Sequence, residues 1–246
     1  MTGGQAVRRS SGQFVRYARA IGGAVLLSAG PPDRLTAQVG HDPARSPYRD
    51  IPSGTGLTVL VGTLGGDRGS VGVGQGDGVT TSLRSEIAVG RAMHFTAGVS
   101  YAQMNRFIVD PTQPPASRRS GPIDDNVTLV DAGLLLLLTG AKTWHGIAPY
   151  VAGSLGMAFG GRELVDPSTY EFGTKFTLAG GAGVRWYPGR RVSVQLDARF
   201  LFWKLRYPTE YKVPNQVDGS QVLATNAPLT EWARQRWLSL GVGWTF

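Results

Sequence analysis

Cysteine is absent from the 246 residues, so disulfides and thiolate-based metal or redox sites are excluded. Charge is sparse: Asp, Glu, Lys and Arg make up 17% of the chain, below the quarter usual for a globular domain. Missing too are a sustained 3.6-residue period and any apolar run of the roughly 20 residues that a helix needs to cross a bilayer. Helical membrane spans are thereby set aside. The net charge of +8 is no nucleic-acid signature, because five arginines (8, 9, 16, 19 and 34) against the single acid Asp33 place half of it in the first 37 residues. There is no Lys/Arg-rich helix, no RNA-recognition aromatic motif and no zinc-finger spacing, and nucleic acid is not an expected partner. What the chain has in plenty is glycine, 35 copies without a G-X-Y period. They sit inside alternating segments, where glycine relieves crowding between curved strands.

Residues 1–19 carry four arginines and no acid, and 20–29, "AIGGAVLLSA", form a short apolar run. Ten apolar residues behind a basic stretch suit a secretory signal, and residues 1–37 are expected to be that leader, with cleavage after Ala37. Residues 38–53, polar and with three prolines, are expected to form a periplasmic linker. From 54 to 246 the chain divides into eight segments with strand character: 54–64, 79–90, 93–104, 127–139, 148–159, 174–187, 191–205 and 233–246. Their connections alternate strictly between long and short, with the long ones near 65–78, 105–126, 160–173 and 206–232. That alternation predicts an all-β fold, an eight-stranded antiparallel up-and-down barrel with elaborate loops at one end and tight turns at the other.

Successive side chains of a strand point to opposite faces. In 191–205, Val192, Val194, Leu196, Ala198, Phe200 and Phe202 alternate with Ser193, Gln195, Asp197 and Arg199; in 174–187, Phe176, Leu178, Ala182, Val184 and Trp186 alternate with Lys175, Thr177, Gly181, Gly183 and Arg185. Alternation alone fits a soluble barrel with an oily interior as well as a transmembrane barrel with an oily exterior. The balance falls to the membrane. Large aromatics near strand ends (Trp186, Phe202, Trp237, Trp244, Phe246) suit interfacial girdles, and the polar faces are rich in Gly, Ala, Ser and Thr, as a narrow lumen requires. Eleven to fourteen residues at a tilt near 40° cover roughly 30 Å, enough for the apolar band. Charges on the inner face then need partners, and Arg84, Lys175, Arg185 and Arg199 against Glu86, Asp131 and Asp197 are expected to form a lumen network that fills the interior and fixes register. On this assignment an Arg at Val194 or Leu240 is expected to be costly, and Gln195→Ser to cost little.

The last residues are "SLGVGWTF": Ser239, Gly241, Trp244 and Phe246 give a polar residue, a glycine two later, then alternating hydrophobic positions ending on an aromatic. This resembles the C-terminal assembly signal of bacterial outer-membrane barrels, and 54–246 as a whole resembles the small OmpA/OmpX-like eight-stranded barrels in architecture. The resemblance implies a monomer in the outer membrane of a Gram-negative cell envelope, in contact with outer-membrane lipids and lipopolysaccharide, delivered by periplasmic chaperones and inserted by the barrel assembly machinery. It does not settle an activity. A structural or surface-interaction role is the leading expectation; the rivals are a lipid A-modifying enzyme, which some barrels of this size are, and a small ion-conducting pore.

No catalytic, cofactor or metal site is expected. His41, His94 and His145 all map to the linker or the short-turn end, away from any serine of the long loops. Asp124-Asp125-Asn126 lacks the spaced ligands of a calcium loop and suits a solvated turn. "GVGQGDG" (72–78) has no Lys and opens no helix, which points to a mobile loop and not a phosphate cradle. Arg118, Arg119, Tyr207, Tyr211, Lys212 and Trp232 are the loop-side residues available to phosphates or a partner.

Overall fold

The computed structural model describes residues 46–161 and 170–246. The leader expected over 1–37, most of the linker expected over 38–53, and His41 with it, lie outside the described residues. The described chain is built almost wholly of strands: β1 Tyr48–Asp50, β2 Thr55–Gly66, β3 Gly78–Ala88, β4 Met93–Gln103, β5 Asn105–Val109, β6 Arg119–Asp124, β7 Val127–Leu137, β8 Lys142–Trp144, β9 Ile147–Gly160, β10 Thr174–Trp186, β11 Val192–Arg206 and β12 Thr230–Thr245. Eight of these, β2, β3, β4, β7, β9, β10, β11 and β12, pair antiparallel in that order. The ring closes where β12 meets β2, from Gln235 opposite Gly66 to Thr245 opposite Gly56. The barrel therefore has no free edge, which removes the row of unpaired backbone groups that a hydrocarbon environment would not tolerate.

Period-2 alternation dictates the two faces. Along β12, Leu238, Leu240, Val242 and Trp244 are exposed outward while Ser239, Gly241 and Gly243 are buried inward; β2 does the same with Leu57, Val59 and Val61 against Thr58 and Leu60. Leu83, Val99, Val130, Leu155, Leu178 and Leu196 continue the outward apolar belt around the remaining strands. An oily exterior around a polar-bearing interior is the arrangement of a barrel that crosses a membrane.

Four additions go beyond the eight expected segments. Tyr48–Asp50, inside the stretch expected to be linker, forms β1 and pairs with β8 beneath the barrel. Pro47 and Pro52 flank it closely, but the four residues between them leave room for a strand of three. The turn expected at 140–147 folds back as β8, whose Trp144 faces Ile147 at the start of β9. Within the long connection after β4, β5 and β6 form a separate hairpin. Glycines also shape the wall: a Cβ at Gly183 would run into the Tyr150 ring from β9, so this glycine is what lets that ring lie over β10 inside the lumen.

Candidate functional site

The lumen has two zones. In the short-turn half, alternation brings polar side chains from β3, β10 and β11 into one layer. Arg84 Nη1 donates to Asp197 Oδ2 at 2.8 Å, and Arg199 Nη2 reaches the same oxygen at 2.7 Å. Arg185 Nη2 donates to Glu86 Oε1 at 2.7 Å and to Oε2 at 2.9 Å, and also to Gln195 Oε1 at 2.9 Å. Asp197 is 1% exposed. Two guanidinium groups share its carboxylate, so a single acid offsets much of the desolvation of two arginines. A small apolar cluster of Leu135, Leu137, Ala148 and Tyr150 lies beside this layer at the same end.

Five of the seven residues expected in the network, Arg84, Glu86, Arg185, Asp197 and Arg199, thus lie together. The other two do not join them. Asp131 faces inward on β7 between Gly98 and Gly156 and makes no ion pair among the described residues. Lys175 stands at the opposite end of β10 from Arg185, over the Phe172 ring at 5.6 Å. Ten residues of strand separate Lys175 from Arg185, and charge balance counted by face takes no account of that height. Gln195, expected to be replaceable, is 1% exposed and accepts from Arg185 through both Nε and Nη2.

The loop-side half of the lumen carries a large apolar cluster beside a few polar groups such as Thr80, Thr177 and Gln235, a feature the face assignment does not anticipate. Leu64, Leu129, Leu201, Trp203, Leu205 and Trp237 turn inward and pack with Tyr170, Phe172, Tyr207 and Tyr211 from the connections above. Trp203 is 0% exposed and packs edge-on to Phe172. Trp237, taken from sequence as part of a girdle, is 4% exposed and belongs to this plug. Its register says why: it lies in phase with Ser239 and Gly241, the inward set of β12. Girdle positions outside are held instead by Trp186, Trp244, Trp144 and Phe246 at the short-turn end and by Trp232 at the other.

The connections above the plug are tied to one another. Arg106 Nε pairs with Asp125 Oδ2 at 2.9 Å, Gln75 Nε2 donates to the same oxygen at 2.8 Å, and the Arg106 guanidinium lies over the Tyr170 ring. Asp125 is therefore a buried ion-pair member and not part of a solvated turn, and the 72–78 loop lies packed inward, with Val73, Gly74, Gln75 and Gly76 all buried. Arg118 bridges to Ser220 Oγ at 2.6 Å and to the Gln221 carbonyl at 3.2 Å, Arg119 stacks on Phe107, and Lys212 donates to the Thr225 carbonyl. Tyr207 donates to Glu231; burial first, and then that carboxylate, pushes its hydroxyl well above the ordinary phenol range. Among the described residues no three His, Cys, Asp or Glu side chains gather as a metal site. His94 is buried at the short-turn end and His145 stacks edge-on to Trp144 in a turn there.

The residues of the terminal pattern divide by face. Ser239 and Gly241 point into the lumen, Trp244 and Phe246 outward, and the Phe246 N–H donates to the Thr55 carbonyl at 2.9 Å across the closing pair of strands.

No protein-family model matches the chain and no curated protein is similar to it. Among solved structures it is similar to Neisserial surface protein A (NspA), at 13% identity over 82% of this chain and 98% of that one, with a TM-score of 0.49. The outer membrane protein OprG from Pseudomonas aeruginosa is similar at 10% identity over 80% and 98%, also with a TM-score of 0.49. The outer membrane enzyme PagL is similar at 13% identity over 78% and 99%, with a TM-score of 0.36. None of these likenesses carries an activity across.

Proposed function

We propose that the chain is a non-enzymatic outer-membrane barrel with a structural or surface-interaction role in the cell envelope: a sealed cylinder that holds a tied platform of loops above the membrane. The observation that carries this reading is the filling of the lumen, an ion-paired layer capped by an apolar plug whose tryptophans are almost fully buried. An eight-stranded interior is just wide enough for side chains to fill, and here they do. The ties among loops support a preformed surface, since a partner then meets groups already ordered. Against catalysis stands the placement of both described histidines at the short-turn end, remote from the described serines of the long loops. The basic and apolar stretch expected to be a leader over 1–37, with the terminal pattern of Ser239, Gly241, Trp244 and Phe246, supports export by the general route, escort by chaperones and insertion by the barrel assembly machinery.

The chain folded into a planar bilayer is expected to leave conductance at background, and incubation with lipid A is expected to leave its acyl composition unchanged by mass spectrometry. Discrete conductance steps would make it a pore, and release of a fatty acid would make it an enzyme; either result overturns the reading.

A further inference from the structure

Four basic side chains face outward at the loop end of the barrel, all on two neighbouring strands. On β11, Lys204 and Arg206 are exposed; on β12, Arg234 and Arg236 are exposed. Register places Phe202 opposite Arg234 and Lys204 opposite Trp232, so Lys204 and Arg234 are diagonal neighbours and the four form one continuous stripe. None makes an ion pair among the described residues; the nearest aromatic partner is Phe200, whose ring lies 5.4 Å beneath Arg234. No carboxylate occupies an outward position on any of the eight barrel strands, and at the same rim the other six present Thr63, Val79, Tyr101, Thr128, Phe159 and Phe176. Like charges set side by side repel; Asp77, just ahead of β3, lines a cleft with Arg236 and sets one negative charge against the four, so the stripe still calls for an anion from outside the chain.

Height names the anion. From Trp244, at the opposite rim, ten residues of tilted strand carry β12 up to Arg234, about 25 Å, the height of the apolar band of an outer-membrane barrel. Arg234 and Lys204 thus stand where hydrocarbon gives way to headgroups, Arg236 sits one step lower and can extend its stem upward, and Trp232, 55% exposed, marks the interface beside them. Among the described loop cations Arg118 is engaged by Ser220 and Arg119 by Phe107, which leaves this stripe as a positive surface facing lipid.

We propose that Lys204, Arg206, Arg234 and Arg236 form a binding site for the phosphate groups of a phosphorylated glycolipid of the lipid A type in the outer leaflet, a proposal that rests on the membrane reading above. The occupant is a lipid and not a soluble anion because the stripe runs down onto the apolar belt, where Leu238 and Phe200 would meet acyl chains.

The test uses the full chain in nanodiscs of phosphatidylcholine doped with bisphosphorylated lipid A, with bound lipid counted by native mass spectrometry. The chain is expected to retain lipid A, and the variant K204Q/R206Q/R234Q/R236Q to bind it on the order of a hundredfold more weakly. R206K/R234K/R236K, which keeps the charge, is expected to bind nearly as the parent does, and K142Q/R190Q, at the other rim, to be unchanged. Equal retention by the four-fold variant, equal retention of dephosphorylated lipid A, or displacement of lipid A by equimolar phosphatidylglycerol would each overturn the site while leaving the barrel intact. Failure of the parent chain to reach a protease-resistant form with heat-dependent electrophoretic mobility in the nanodisc would overturn the membrane reading itself, and the site with it.

Discussion

Asp197 holds two arginines on one oxygen, and its loss leaves both guanidinium groups buried without a counter-charge. Asp197→Asn is expected to destabilise the folded barrel by about 3 to 5 kcal/mol in a urea titration, whereas Asp131→Asn, which breaks no pair, is expected to change it by about 0.5 kcal/mol. Similar losses for the two would remove the distinction between network and bystander. Gln195→Ser takes away the acceptor of two Arg185 hydrogen bonds, and a cost of about 1 to 3 kcal/mol is expected by the same titration. Sequence made Gln195 look expendable because a neutral side chain on a polar face carries no sign of what it touches. The facing of all seven charged residues was legible from period 2 alone. Their height was not: Lys175 and Arg185 share a face, yet they stand near opposite ends of the same strand.

At the scale of the strand, the outward set is where hydrocarbon makes contact. Leu240 lies between Leu196 and Val61 in the middle of the belt, whereas Val194 lies between Trp186 and Val242, close to the short-turn rim. Leu240→Arg is expected to cost about 2 to 4 kcal/mol in the lipid-folded state, read from reversible unfolding in vesicles, and Val194→Arg, beside the girdle, about 1 kcal/mol, less than its sequence position suggests. A loss near zero at Leu240 would place water, not lipid, against it. Gly183→Ala sets a methyl against Tyr150 and the neighbouring backbone, and overpacking of this kind is expected to cost about 1 to 3 kcal/mol. The strands themselves were readable because each keeps its alternation for ten or more residues. The upper part of β11 hides a second message within the same period: Leu201, Trp203 and Leu205 turn inward while Lys204 and Arg206 turn outward, the reverse of the polarity lower down. A rule that equates the polar face with the lumen fails there. Short elements such as β1 and β8 offer too few residues to show a period at all.

For the molecule as a whole, the two-zone lumen decides whether anything passes. The plug rests on two indoles, Trp203 and Trp237, and replacing both by alanine is expected to open a path and give measurable conductance in planar bilayers where the parent shows none. A double variant that stays silent while folded would mean that the ionic layer seals the cylinder unaided. The architecture was legible from the long-short rhythm of the connections, which needs no knowledge of side-chain contacts. The plug was not, because it is assembled from strand tips and from loop residues such as Tyr170, Phe172 and Tyr211, brought together only by closure.

Closure itself has a consequence in time. Gly56 and Thr245 are partners, as are Val61 and Leu240, so the seam of the cylinder joins the start of the first wall strand to the last one synthesised. Until β12 arrives, every shorter piece of the wall carries two sticky margins and an oily flank. Contacts so remote along the chain make for slow folding, and the wall gains its full set of strand pairs only when this last seam is joined.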